Sequence, residues 1–266
     1  MTAAVAVRPA RAVILGLAGL AAFALLLEVA PRAGLVPAAY APPTSRILAA
    51  LGETAGRAEF WAAVRDTLYT WALGLGIAVA AGVAAGVLIG SLPFLRAATA
   101  TTIEFLRPIP SVALIPLVIV LYGSTIPATL VLVVYAAFWQ VLVQVLHGIA
   151  DVDPVARDTA RSYGLGRWAR VRYLVWPTAL PYVVTGVRLA AAVALILAIT
   201  GELVVGSPGL GKEIDAAQQG GAVPTVYALI VVCGILGVLA NVGMRAVERR
   251  VLAWHPAARR EAVVPA

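Results

Sequence analysis

Apolar residues run along this chain in long stretches, separated by short clusters of proline, glycine and charge. A stretch crosses a bilayer as a helix when it holds about 20 mainly apolar residues, since each adds about 1.5 Å and the hydrocarbon core is about 30 Å thick. Residues 12–29 form the first such run, and residues 68–90 the second, closed by Ser91-Leu92-Pro93. The third opens near Thr101 and reaches Tyr122 through Pro108, Pro110 and Pro116. Residues 126–146, 182–205 and 224–244 follow. Proline inside a span is tolerated where neighbouring helices or polar side chains satisfy the freed carbonyls. The pattern therefore predicts an all-α, polytopic membrane protein with about six transmembrane helices.

Between the first two runs, Ile47, Leu48, Leu51, Ala55, Ala58, Trp61 and Ala62 recur at helical spacing. This predicts a short amphipathic helix over residues 44–66, capped by Thr44 or Ser45 after Pro42-Pro43, lying on the membrane surface. In the second run Gly82, Gly86 and Gly90 stand four apart, a small face for close helix packing. Arg8 and Arg11, the first run and Ala39-Tyr40-Ala41 imitate a cleaved signal peptide. The run is longer than a usual signal core and stands well before that site, so a retained first helix is expected.

Composition agrees with the pattern. Of 266 residues, 62% are hydrophobic and 12% charged, with a mean hydropathy of +0.94, too apolar for a water-soluble core. The net charge of +7 sits at the ends of apolar runs, where it reports topology rather than a nucleic-acid partner. Placing the N-terminus inside puts Arg96, Arg107, Arg157, Arg161, Arg167, Arg170, Arg172, Arg245, Arg249 and Arg250 on the inner side. Both termini are then cytoplasmic. Arg188, just inside the fifth span, is expected to snorkel to the inner interface. Cys233 is the only cysteine and reads as a packing thiol.

The chemistry-bearing segment is the inner loop at residues 151–181. Asp153 can cap a helix that starts at Pro154, whose fixed φ and missing donor suit the first turn. That helix carries Val155, Asp158, Thr159, Ala160 and Ser162 and stops at Gly164, a natural left-handed C-cap, before Leu165. A second amphipathic helix over residues 167–175 sets Trp168, Val171 and Val175 against Arg167, Arg170 and Arg172, and Pro177 and Pro181 are expected to end it.

Asp158-Thr159-Ala160, Gly164 and Pro177 resemble the EAA loop of ABC importer permeases, in which an acidic-small-small triplet precedes a glycine and a later proline. Asp158 departs from the usual glutamate and Thr159 from alanine. Glu104-Phe-Leu-Arg107-Pro-Ile-Pro110, Phe138-Trp139, Gly201-Glu202, Gly209-Leu-Gly211 and Ala217-Gln218-Gln219 extend the likeness to permeases for nitrate, sulfonate, taurine and thiamine-precursor uptake. The resemblance implies a type I ABC importer permease, a non-catalytic subunit in a prokaryotic plasma (inner) membrane. It further implies pairing with a second copy, docking of a separate ATPase subunit, and an extracytoplasmic solute-binding protein. Val155, Asp158, Thr159, Ala160, Ser162, Gly164 and Leu165 would form the ATPase-coupling element. The solute would be a small organic anion of the sulfonate, taurine or nitrate kind, or a thiamine-precursor-like compound. The chain then divides into an N-terminal unit at 1–66, a core permease domain at 67–254 and a cytoplasmic tail at 255–266.

Other signals are weaker. Gly206-Ser-Pro-Gly-Leu-Gly211-Lys212 imitates a phosphate-binding loop, but Glu213 stands where a magnesium-binding serine or threonine belongs, so no nucleotide or metal cofactor is expected. Gln140, Gln144 and His147 make a polar stripe on the fourth span, and Glu202 lies toward the outer end of the fifth. Polar groups in a span face the protein interior or a water-filled route, so Gln140, Gln144 and Glu202 are candidates for a translocation path, with packing or interfacial pairing as the alternative. Glu104 and Arg107 have the spacing of a local ion pair. Few ionisable groups lie mid-span and there is no visible inverted repeat, which argues against a self-sufficient secondary transporter. No Ser–Lys pair or acidic–His cluster supports an intramembrane enzyme.

Overall fold

A computed structural model describes residues 9–37 and 39–254, and among these every regular element is helical. Arg8, Arg259, Arg260 and the tail at 255–266 lie outside the described residues. The helices are α1 (Pro9–Arg32), α2 (Thr44–Ala55), α3 (Ala58–Ser91), α4 (Pro93–Leu106), α5 (Ile115–Tyr122), α6 (Ile126–Ala150), α7 (Pro154–Ser162), α8 (Arg167–Arg170), α9 (Trp176–Val205), α10 (Leu210–Gln219) and α11 (Val223–Val251). Five segments are long and apolar enough to cross a membrane, or six if the bent pair α4 and Ser111–Tyr122 counts as one.

The third run departs from expectation. It is no single rod: α4 starts at Pro93 and breaks after Leu106, and the chain turns by 81° before a 3-10 turn (Ser111–Leu114) leads into α5. Pro108 and Pro110 explain the break, because each removes a helix donor and restricts the residue before it to extended backbone. The Tyr135 hydroxyl donates to the carbonyl of Leu106 at 2.7 Å, satisfying one group freed at the bend. Glu104 and Arg107 form no ion pair.

The outer segment is also divided. It breaks at Gly56-Arg57, and residues 58–66 extend the second span instead of lying beside α2. α2 buries Ile47 and Ala50 against Ala228 of α11. Neither Thr44 nor Ser45 caps it with its own side chain. The Thr44 hydroxyl donates back to the carbonyl of Ala24 at 2.9 Å, and Glu28 of α1 accepts from the Ser45 amide at 2.9 Å. A carboxyl at a helix N-terminus satisfies an orphan donor and meets the positive end of the dipole, so α1 supplies the cap that α2 lacks.

The core is a sandwich of α3, α6 and α9, whose apolar faces meet at Ala78, Leu132, Val141, Val145, Ala190, Ala194 and Ala198. Small residues set the spacing, as the glycine stripe predicts. A Cβ added at Gly82, Gly86 or Gly90 would lie 2.8, 2.6 and 2.7 Å from side-chain atoms of Val141, Val145 and Ile149. Replacing Gly86 by leucine is therefore expected to force α3 off α6, and the folded fraction recovered in mild detergent should fall severalfold on size-exclusion chromatography. A second, outer cluster joins Phe60 and Val64 of α3 to Leu210 and Ile214 of α10 and Leu229 and Val232 of α11, with half-buried Cys233 packed against it.

Candidate functional site

On the inner side, α7 has both ends fixed by local chemistry. The Val155 amide donates to Asp153 Oδ1 at 2.8 Å, closing the N-terminus. At the other end Gly164 adopts φ +71°, the Gly164 amide donates to the carbonyl of Arg161 at 2.9 Å, and the Leu165 amide donates to that of Ala160 at 3.0 Å. This pair of bonds is the Schellman arrangement, which needs a residue at ease in the left-handed region. The result is a rigid rod of nine residues with a sharp exit.

Its faces are unequal. Ala160 is buried. Val155, Asp158, Thr159 and Ser162 lie on the exposed face. Val155 is 72% exposed and Tyr163, beside the exit, is 81% exposed. Asp158 pairs with Arg161 at 3.2 Å, an exposed contact of little energetic weight. Thr159 returns its hydroxyl to the carbonyl of Val155 at 2.8 Å.

The second loop helix does not stop at the prolines. α8 passes through a π-helical segment (Val171–Val175) directly into α9, so residues Arg167–Val205 form one continuous run. The wide turn resolves the conflict: the Trp176 amide donates to the carbonyl of Val171, five residues back, around the site where Pro177 offers no donor. The Thr178 hydroxyl donates to the carbonyl of Leu174 and that of Thr185 to the carbonyl of Pro181. Arg188 does more than snorkel, pairing with Glu248 of α11 at 3.1 Å.

On the outer side, Glu202 is fully buried. Its Oε2 accepts from the Thr67 hydroxyl at 2.8 Å and from the Gly211 amide at 3.1 Å, while Thr67 Oγ1 accepts from the Leu210 amide at 2.9 Å. The carboxyl group thus closes the N-terminus of α10 and ties it to α3 and α9. The loop that imitated a phosphate-binding motif wraps a side chain of its own chain: a Cβ at Gly209, where φ is +148°, would overlap the Glu202 carboxyl. Next to it, the Thr129 and Ser207 hydroxyls share a buried hydrogen bond at 2.6 Å. Sequence reading missed Thr67, Thr129 and Ser207, because a lone hydroxyl at a span end carries no periodic signal.

The polar stripe of α6 divides along its length. Gln140 and Gln144 are half-buried and His147 is exposed. Gln144 packs over Gly186 of α9 and lines a cleft of about 620 Å³ with Asp151, Thr178, Tyr182, Thr185 and Trp254 at the inner ends of α6 and α9. The Tyr182 hydroxyl donates to Asp151 Oδ2 at 2.9 Å across its rim.

Comparison with known proteins agrees with this architecture. A family model described as "Binding-protein-dependent transport system inner membrane component" matches residues 50–253. The taurine transport system permease protein TauC of Escherichia coli K12 is 30% identical over 226 residues, covering 83% of this chain and 82% of the relative. The putative aliphatic sulfonates transport permease protein SsuC of the same organism is 33% identical, covering 59% and 60% respectively. The nitrate import permease protein NrtB of Leptolyngbya laminosa is 25% identical over 73% of this chain and 69% of its own length. An inward-facing structure of the MetNI methionine ABC transporter aligns over 71% of this chain and 94% of that one, with a TM-score of 0.60 at 21% identity, and so shares the fold. The chain belongs to the binding-protein-dependent transport system inner membrane components, the permease subunits of ABC importers.

Proposed function

We propose that the chain forms half of a translocation path for a small anion and couples it, through α7, to ATP hydrolysis by a separate subunit. The observation that carries this is the outward face of α7. It is a short helix locked at both ends, standing off the bundle with Val155 and Tyr163 exposed to the cytoplasm. Apolar side chains held rigidly in water favour a protein partner, because the partner gains their burial without the cost of ordering them. Val155, Asp158, Thr159 and Ser162 make the docking face in this reading. Ala160 anchors the helix from behind, and Gly164 and Leu165 form the exit. A second copy of the chain completes the path, and a solute-binding protein delivers from outside.

The relatives named for taurine, sulfonate and nitrate support a small anion as solute. We place the path along the side of α6 that carries Gln140 and Gln144, whose amides can donate to an anion without a fixed charge that would trap it. Glu202 serves as an outer brace instead, since its carboxyl is already engaged by Thr67 and the start of α10.

The test is co-purification with a candidate ATPase subunit of an ABC importer. Val155→Arg is expected to weaken ATPase binding by about tenfold or more, the effect of losing a central interface residue. Thermal stability of the isolated chain should stay unchanged, because Val155 touches little of its own fold. Undiminished binding and undiminished stimulation of ATP hydrolysis would remove α7 from the interface.

A further inference from the structure

At the level of the inner leaflet, a groove of about 510 Å³ runs between α3, α6 and the segment that joins α8 to α9. Val87, Val145 and Ala179 form its floor, and Trp168, Arg172 and Trp176 stand along it. Val87 lies one turn from the inner end of α3, and Val145 lies close to the inner end of α6, so the opening faces the cytoplasmic interface. Among the described residues no acidic side chain lines it. Arg172 is exposed and joins no ion pair among the described residues, its guanidinium carbon resting 6.0 Å from the centre of the Tyr173 ring. Arg167 and Arg170, on the turn before it, are equally without acidic partners, and Nε of Arg170 is buried with no hydrogen-bond acceptor.

An apolar trough of this size falls within the range of ordinary ligand sites, about 300–1,000 Å³. One end is cationic and flanked by tryptophan, a residue that settles where hydrocarbon meets headgroup. A molecule that matches all of it has a hydrocarbon tail and an anionic head, and reaches the groove from within the bilayer. We propose that this groove binds an anionic phospholipid of the cytoplasmic leaflet, its tail between α3, α6 and α9 and its phosphate at Arg172. Basic pockets between helices on the cytoplasmic side recognise anionic headgroups by this combination of phosphate contact and buried chain. The site belongs to the chain itself and holds whether or not α7 docks an ATPase.

The full-length chain in mild detergent can be titrated with phosphatidylglycerol, or with phosphatidylcholine of the same acyl chains, and retention read by native mass spectrometry. Wild type is expected to keep phosphatidylglycerol in preference. Arg172→Gln should lower its retention about fivefold, the weight of one arginine–phosphate contact near a membrane surface, while Arg172→Lys keeps most of it. Trp168→Ala, at a position 78% exposed and so safe for folding, should lower retention of both lipids. Equal phosphatidylglycerol retention by wild type and Arg172→Gln would overturn the proposal, as would full displacement of the lipid by inorganic phosphate. A photo-crosslinking residue at position 168 should capture lipid; capture of a second protein chain instead would assign the groove to an interface and overturn it too.

Discussion

Glu202→Ala should unfold the outer end of the protein. Removal of the side chain leaves the Gly211 amide and the Thr67 hydroxyl without their acceptor in a buried place, each worth about 1–3 kcal/mol, and opens a cavity beside Gly209. A total loss of about 3 kcal/mol or more is expected. Thr67→Val breaks the bond to Oε2 and the one from the Leu210 amide but keeps the Gly211 contact and opens little space, so it should cost less. The double variant should cost less than the sum of the two, because Thr67 relays the Leu210 amide to the same carboxyl. Glu202→Gln preserves an acceptor but turns a donor toward the position of Oε1, which has no partner among the described residues. It should therefore fall between wild type and alanine. Thermal unfolding followed by tryptophan fluorescence in detergent reads the whole series. If the alanine variant melts with wild type, the contact is incidental and the brace reading is lost.

The second large effect is at Gly164. With φ at +71° the position suits glycine, and a β-branched residue there is strained by about 1–2 kcal/mol or more. Space is not the problem, for an added Cβ would meet nothing within 4 Å. The strain is intrinsic to the backbone, and the chain can relieve it only by giving up the bond from the Leu165 amide to Ala160 and letting α7 run on. Gly164→Val is thus expected to leave insertion and bundle packing intact while redirecting the exit from α7. Uptake by a reconstituted transporter should fall at least tenfold, with membrane abundance on immunoblots unchanged. Gly164→Asn, which tolerates the left-handed region, should retain much more uptake. Wild-type uptake by the valine variant would mean that the direction of this exit carries no force.

The inner loop was largely legible in the residue pattern, because its elements are punctuated locally. Asp153, Pro154 and Gly164 each act on their own backbone within a few residues, and sequence spacing captures such effects directly. The spans were legible for a similar reason: apolar length is additive. What escaped were features set by distant partners. Glu28 caps α2 from another helix, and Thr67 meets Glu202 across a separation of 135 residues. No periodicity encodes either. The prolines misled in both directions, since the same residue type breaks the third run at Pro108 and Pro110 yet passes through the start of α9. The difference lies in the neighbours. At Pro177 a wide turn, closed by the Trp176 amide on the carbonyl of Val171, takes up the slack, whereas after Leu106 the hydroxyl of Tyr135 meets one freed carbonyl and the chain turns away.

The bend between α4 and α5 bears on how the protein is made. α5 has eight residues and rises about 12 Å, and with the 3-10 turn before it covers only about 20 Å of a hydrocarbon layer about 30 Å thick. Such a piece is too short to leave the translocon as an independent stop in the bilayer. Only three residues join it to α6. The ribosome must therefore have extruded most of α6 before α5 can settle, and the two partition into lipid together as a hairpin.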